Sequence, residues 1–374
     1  MVAAAKDFLK IYWPLVLVAF AGLVLTLMLM DPAPPKTIRF AAGSPGGAYY
    51  AYAERYQRLL GEQDVNVTLI QTAGSVENLR LLDEGSADVA LVQGGLATLG
   101  DAESLRSLGG LFHEPFWVFV RDEAGVKDFG QLRDLRMAIG PDGSGTRLLA
   151  LDLQNEFDGV WPAASRNSLT GIAAADALIE GKLDAAAFAA SPDAVYVQTL
   201  LRAPGISLLP FERAEALSRR QPALAAVVLL RGVVDIGADL PAHDVSLVAP
   251  VAQLVVRKSL HPAIEALLVD SASAIHQDGS LFARAGTFPD PDSTDLPVSR
   301  QVQRYYENGP SFLRRYFSFD LANFLDRAWI LAIPLLTLLF PLVRVAPPIY
   351  RWRVRRKIYI WYKDLRDLES RGRN

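Results

Sequence analysis

The sequence predicts an α/β protein made of two equivalent lobes and flanked by two transmembrane helices. Three observations predict this architecture. Strand and helix patterns alternate through the middle of the chain, a set of motifs recurs 96 or 97 residues later, and uncharged runs lie near both ends. With 374 residues, 51% of them hydrophobic, the chain is long enough for two or more compact domains.

The charge is distributed unevenly along the chain. Residues 344–374 carry +7 and residues 1–30 carry +1, so the total of -3 leaves -11 for residues 31–343. This acidic middle excludes a broadly basic nucleic-acid-binding protein, and we expect no nucleic-acid partner. The chain has no cysteine, which excludes disulfides, thiolate metal ligands and thiol catalysis.

The first uncharged run, residues 11–30, has the length that a helix needs to cross a bilayer of about 30 Å. Lys6 and Lys10 precede it on a short N-terminal segment, residues 1–10. A cleaved signal peptide is the alternative, but its apolar region would be about 7–15 residues and would end in small residues. This run ends at Met30. We therefore predict an uncleaved transmembrane anchor.

The second transmembrane helix is predicted at residues 327–343. Its uncharged part is shorter, about 24 Å at 1.5 Å per residue, so Arg327 and Arg344 would extend their charges outward. The basic, aromatic tail at 344–374 suits the anionic lipids of an inner leaflet. Positive charge at both ends predicts a two-pass inner-membrane protein with a periplasmic main domain. A buried C-terminal helix followed by a solvated tail is the alternative.

Between these helices the pattern is βαβαβ, beginning after a proline-rich linker at residues 31–36. Strands are indicated at 37–42, 65–69 and 88–93. Gly46-Gly47 opens the first helix and Ser75 caps the second. This order predicts a parallel sheet with right-handed crossovers.

The motifs then recur. Gly43-Ser-Pro-Gly46 matches Gly140-Pro-Asp-Gly143, and Leu82-Asp-Glu-Gly-Ser-Ala-Asp88 matches Leu178-Ile-Glu-Gly-Lys-Leu-Asp184. Two equivalent lobes explain both matches. The predicted boundaries are 37–116 and 235–285 for lobe one, 117–234 for lobe two, and 286–326 for a membrane-proximal linker. We expect the chain to cross between lobes near 114–120 and again near 210–234.

Catalytic motifs do not stand out. Gly140 and Gly145-Thr146 nearly match a phosphate-binding P-loop, but the lysine before the threonine is missing. Gly143-Ser144-Gly145 is not a nucleophile elbow, and the four histidines lack metal-ligand spacing. We predict no enzymatic activity, no cofactor and no metal.

Loops rich in Gly, Ser and Thr at helix starts are the best candidates for a site. Exposed N–H groups and the helix dipole favour anions there, and ligands bind at the carboxyl ends of strands in open α/β sheets. Any one such loop could be an ordinary cap, but loops in both lobes favour a cleft. The candidate ligand-binding residues are Ser44, Gly46, Gly47, Ala48, Tyr49, Ser75, Asn78 and Gln93 from lobe one, and Gly143, Ser144, Gly145 and Thr146 from lobe two.

These motifs resemble a known family. Ala42-Gly-Ser-Pro-Gly-Gly-Ala-Tyr-Tyr50, Gly74-Ser-Val-Glu-Asn-Leu-Arg-Leu-Leu82 and Ala87-Asp-Val-Ala-Leu-Val-Gln93 are similar to the first lobe of TAXI-type solute-binding proteins of TRAP transporters. Glu114-Pro115, Gly143-Ser-Gly-Thr146 and Gly181-Lys-Leu-Asp-Ala185 fit the second lobe. The resemblance covers residues 37–285, and the tail at 305–369 looks like that of a membrane-anchored subset.

The resemblance implies a periplasmic-binding-protein-like clamshell that closes on a small organic anion, an amino acid such as glutamate or a dicarboxylate. Its expected partners are TRAP permease membrane subunits and inner-membrane lipids. Ser44-Pro45 and Ala190 depart from residues common in the family. A ligand-sensing membrane protein that signals through its cytoplasmic tail is the alternative, and the ligand stays open.

Overall fold

A computed structural model describes residues 33–309 except 102, 158–161, 163 and 164, together with isolated positions nearer the two ends. One compact unit is Pro34–Ser311, and the other comprises Met1–Ala33 and Phe312–Asn374. Within the described part of the chain, no helix is long and apolar enough to cross a membrane. The segments predicted to do so, 11–30 and 327–343, lie outside the described residues except at isolated positions.

The described part of Pro34–Ser311 contains eleven strands and eight α-helices. The strands are β1 (Thr37–Gly43), β2 (Asn66–Gln71), β3 (Val89–Gln93), β4 (Leu105–His113), β5 (Phe116–Arg121), β6 (Met137–Ala138), β7 (Arg166–Asn167), β8 (Ala185–Ala189), β9 (Ile206–Leu208), β10 (Leu224–Leu229) and β11 (Val245–Arg257). The helices are α1 (Ala48–Gly61), α2 (Ser75–Asp83), α3 (Gly145–Glu156), α4 (Gly171–Ile179), α5 (Val195–Leu200), α6 (Ala214–Arg220), α7 (Pro262–His276) and α8 (Arg300–Asn308).

The first sheet has the order β10-β11-β3-β1-β2, with β4 also paired to β11. It contains the strands of lobe one, whereas β10 and the start of β11 pack in the core of lobe two. Strand β1 is parallel to β2 and β3, which confirms the parallel βαβαβ unit predicted from the sequence. Strand β11 is antiparallel to its neighbours β3, β4 and β10, so the sheet as a whole is mixed. All five residues of β3 are buried, as expected for a central strand covered on both faces.

The sheet of lobe two has the order β7-β6-β8-β5-β9. Strand β6 is parallel to β7 and β8, whereas β5 runs antiparallel to β8 and β9. Phe116, Trp117 and Phe188 contribute large side chains to the core of this lobe. The second lobe is therefore also a mixed α/β sheet.

The sequence repeat corresponds to a repeated construction. In lobe one, the guanidinium of Arg39 contacts the carboxylate of Asp88 at 2.7 Å, and in lobe two Arg136 contacts Asp184 at 2.6 Å. Arg39 lies in β1 and Asp88 directly precedes β3, whereas Arg136 directly precedes β6 and Asp184 directly precedes β8. The same pair of charges thus joins β1 to β3 in lobe one and β6 to β8 in lobe two.

The chain crosses between the lobes twice. It first crosses between β4 and β5, at Glu114. The return lies within β11, since Val245–Ala249 pack in the core of lobe two and pair with β10, whereas Ala252 and the residues after it pair with β3. This is later than the 210–234 that the sequence suggested, because one long strand carries the chain across. The backbone N–H of Glu114 donates to the Pro250 carbonyl at 2.9 Å, so the two crossings lie side by side.

The predicted linker after residue 285 is packed against lobe one. Asp290 and Val298 form β-bridges with residues of β4, and the Tyr306 hydroxyl donates to the Leu108 carbonyl at 3.0 Å. The carboxylate of Asp295 accepts the backbone N–H of Gly95 at 2.8 Å. Residues 288–308 therefore form a strap across lobe one, and we use that name below.

Candidate functional site

A cavity lies between the two lobes. The centre of a water molecule can occupy about 80 Å³ of it. Since a single water needs about 10–15 Å³ by this measure, the cavity has room for a small organic molecule. Nine of the twelve residues predicted from the sequence line it. These are Ser44, Gly47, Ala48, Tyr49, Ser75, Gln93, Ser144, Gly145 and Thr146.

The other three predicted residues do not line the cavity. Asn78 is fully buried, where its side chain accepts a hydrogen bond from Thr72 at 2.5 Å and donates one to the Leu91 carbonyl at 2.8 Å. It therefore holds α2 to the sheet. Gly46 and Gly143 have φ of +80° and +84°, and each supplies the turn before a helix that does reach the cavity.

Four helices begin at this cavity, two from each lobe. The residues at which α1, α2, α3 and α4 are capped all line it, and they are Gly47, Gly74, Ser144 and Thr170. Only Ser144 caps its helix with a side chain, accepting from the N–H of Arg147 at 3.3 Å. The first-turn N–H groups of a helix have no partner within it and carry partial positive charge. The arrangement is suited to binding negatively charged groups.

The lobes contact each other where two of these helices begin. Gly74 has φ of +137°, and a Cβ there would lie 3.4 Å from the Cα of Ser144. A Cβ on Gly145 would overlap the side-chain oxygen of Gln93. Glycine at these positions lets loops of the two lobes touch at one side of the cavity.

Hydroxyl groups play equivalent structural parts in the two lobes. The Ser75 hydroxyl accepts the N–H of Gln93 at 3.0 Å, and the Thr146 hydroxyl accepts the N–H of Ala189 at 3.0 Å. Each bond ties the start of a helix to the end of a strand at the cavity wall. As an acceptor in this bond, the Thr146 hydroxyl still has its own proton to donate to a ligand.

Glu114 also lines the cavity, and sequence reasoning missed it. Its side chain accepts the hydroxyl proton of Tyr49 at 2.5 Å. Burial raises the pKa of Glu114 to about 8, although the bond from Tyr49 opposes this shift. The available signal was a single acidic residue at the start of the apolar run 115–120. Tyr196 from α5 was missed as well, and burial raises the pKa of its hydroxyl.

Among the residues that the structure describes, no group of three or more His, Cys, Asp or Glu side chains could hold a metal ion. The polar groups of the cavity are instead backbone N–H groups, hydroxyls, one amide and one carboxyl. These groups can bind a ligand through hydrogen bonds.

Two α/β lobes with mixed sheets, joined by two crossings around a ligand-sized cavity, define a periplasmic-binding-protein-like fold. The chain belongs to the NMT1-like family, which matches residues 40–265.

Solved structures with overall similarity include a protein of Bordetella bronchiseptica RB50, with 17% identity and a TM-score of 0.46 over 65% of this chain and 72% of that one. The alkanesulfonate-binding protein SsuA of Xanthomonas axonopodis pv. citri, bound to MOPS, has 16% identity and a TM-score of 0.42 over 65% and 74%. The periplasmic aliphatic sulphonate-binding protein SsuA of Escherichia coli has 14% identity and a TM-score of 0.40 over 64% and 68%.

Proposed function

We propose that this protein is a membrane-anchored extracytoplasmic solute receptor. It binds a small organic anion, an amino acid such as glutamate or a dicarboxylate, between its lobes and passes it to a TRAP-type permease. Membership of the NMT1-like family supports the receptor class. The resemblance of the loop motifs to TAXI-type proteins supports the transporter type, and the uncharged runs at 11–30 and 328–343 support the anchor.

The convergence of four helix N-termini on one cavity is the observation that carries this proposal. Two of these helices come from each lobe, so an anion that contacts all four favours the closed state over an open one. Binding and closure are then the same event, because the ligand completes a set of hydrogen bonds that neither lobe can supply alone.

The overall charge makes short-range contacts necessary. Residues 31–343 carry -11, and this field repels an approaching anion. Hydrogen bonds from N–H groups to an ionised acceptor are stronger than those between neutral groups, and they strengthen further where water is excluded. The affinity must therefore come from the cavity wall and not from long-range attraction.

A thermal-shift screen of the full chain in detergent tests the proposal. The panel would contain amino acids, dicarboxylates and alkanesulfonates. A ligand at 100 times its dissociation constant stabilises the folded state by about 2.7 kcal/mol, which is a readily measured shift in melting temperature. If no small acid in the panel raises the melting temperature, the proposed function is wrong.

A further inference from the structure

Glu114 is the one acidic residue among those that line the cavity within the described part of the chain. Its side chain is 3% exposed, and the hydroxyl of Tyr49 donates to it. The residue lies where the two crossings meet, so the hinge itself fixes its position. A carboxyl placed this way faces any ligand that the lobes enclose.

The described part of the cavity wall carries no cation near this carboxyl, and burial lowers the pKa of His113, which precedes Glu114 at the end of β4. None of the described residues that line the cavity is Lys, Arg or His. The titratable groups nearby are the hydroxyls of Tyr49 and Tyr52 from α1 and of Tyr196 from α5. Burial raises the pKa of each hydroxyl and Glu114 raises it further, so all three stay neutral at physiological pH. From β11, the Pro250 carbonyl accepts the N–H of Glu114 and carries no charge.

A buried carboxylate without a cation is costly, and such a group normally stays protonated or acquires a positive partner. Burial raises the pKa of Glu114 to about 8, which favours the first outcome. A ligand can supply the positive partner. The helix N-termini take the negative group of that ligand, and the carboxyl of Glu114 takes its positive group.

On the basis of the proposed function, we propose that Glu114 selects solutes that carry a protonated amine beside an acid group. The receptor then binds an acid that carries an ammonium group in preference to the dicarboxylate of the same length that lacks it. An ammonium group forms a charge-assisted hydrogen bond with ionised Glu114. The second carboxylate of a dicarboxylate meets a like charge there, unless Glu114 keeps its proton.

Proton linkage gives the two ligand classes opposite pH dependence. A zwitterion requires ionised Glu114, so below pH 8 its binding releases a proton from Glu114. Its affinity therefore falls about tenfold for each unit by which the pH decreases below 8. A dicarboxylate requires the protonated form, so its affinity falls as the pH rises above 8. The amine of an amino acid stays charged below pH 8, so it does not obscure the comparison.

Calorimetric titration of the full chain in detergent tests the proposal with two matched pairs, L-aspartate with succinate and L-glutamate with glutarate. Titrations at pH 6, 7 and 8, in two buffers of different ionisation enthalpy, count the protons released. We expect the amine-bearing member of at least one pair to bind at least tenfold more tightly at pH 8, and to release about one proton at pH 7.

Two variants separate the charge of Glu114 from its shape. Glu114→Gln keeps the size and can still accept from Tyr49, and we expect it to lose both the preference for the amine and the pH dependence. Tyr49→Phe removes the donor but keeps the carboxyl, and we expect the preference to persist. Melting curves establish that both variants are folded.

The outcomes distinguish the two proposals. Equal or tighter binding of the dicarboxylate, or an amine preference that survives in Glu114→Gln, overturns the role of Glu114 and leaves the receptor function standing. If the matched pairs and every other small acid fail to bind the wild-type protein, the proposed function fails and this inference fails with it.

Discussion

Replacing Gly145 with alanine should weaken ligand binding without unfolding the protein. The added Cβ would overlap the side-chain oxygen of Gln93, lie 3.0 Å from its Cδ and lie 3.4 Å from the Ser75 hydroxyl. Gln93 is 4% exposed, so its side chain has little room to move aside. The clash arises between the lobes, and it is present only when they are closed.

Inserting one extra carbon into a packed contact costs about 1–3 kcal/mol, which corresponds to about 5- to 150-fold in affinity. The assay is calorimetric titration with the ligand found in the thermal-shift screen. Because an open form relieves the clash, we expect the melting temperature without ligand to change little. Wild-type affinity in Gly145→Ala would refute the idea that these loops must touch for the ligand to bind.

Two controls make this test specific. Gly61→Ala places the same methyl group where no atom lies within 4 Å, so it should leave the affinity unchanged. The second control repeats Gly145→Ala in a Gln93→Ala background, where the clashing amide is absent. The penalty of Gly145→Ala should largely disappear there, and a penalty of undiminished size would assign the effect to some other contact.

Three further predictions concern individual side chains. Thr146→Ala removes the acceptor for the Ala189 N–H, so it should lower both the affinity and the free energy of unfolding by about 1 kcal/mol each, measured by calorimetry and denaturant titration. Asn78→Ala should lower the free energy of unfolding by about 2–3 kcal/mol, because the Thr72 hydroxyl and the Leu91 carbonyl each lose a buried hydrogen bond to the amide; a smaller loss than for Thr146→Ala would contradict this. Burial lowers the pKa of His276 from 6.5 to about 3, so the folded state holds this imidazole neutral. Its contribution to stability is present above pH 6.5. Below that pH the unfolded chain binds a proton there, and the free energy of unfolding falls by about 1.4 kcal/mol per pH unit. His276→Phe should flatten the loss of stability between pH 6 and 4, and an unchanged slope would exclude His276 as its source.

Much of the cavity wall could be predicted because its residues are determined locally. A loop of glycine and serine between a strand and a helix exposes backbone N–H groups wherever it occurs, and parallel strands bring such loops to one edge. The loop at Ser44–Ala48 and the loop at Ser144–Thr146 follow this rule in their respective lobes.

Asn78 shows where the same reasoning went too far. The buried residues of α2 are Ser75, Asn78, Leu79 and Leu82, which is the spacing of one helix face. Asn78 lies within that stripe, so its amide is directed into the core of lobe one. This spacing is visible in the sequence, and it indicates a structural role for Asn78.

Glu114 and the return crossing depend on contacts between distant parts of the chain. The surroundings of Glu114 come from α1, α5 and β11, and no local pattern shows that these elements meet. The crossing in β11 leaves no break in an apolar strand that is mostly buried along all of its length. Only the pairing partners of its two halves show that the strand serves two lobes.

The strap has a consequence for how the two lobes can move. The Pro34–Ser311 unit starts with β1 and ends with α8, and both elements belong to lobe one. The first and the last element of this unit therefore lie on one lobe, and in the described residues the backbone passes between the lobes at the two crossings. A rigid swing of lobe two about these crossings would leave the distance between β1 and α8 unchanged.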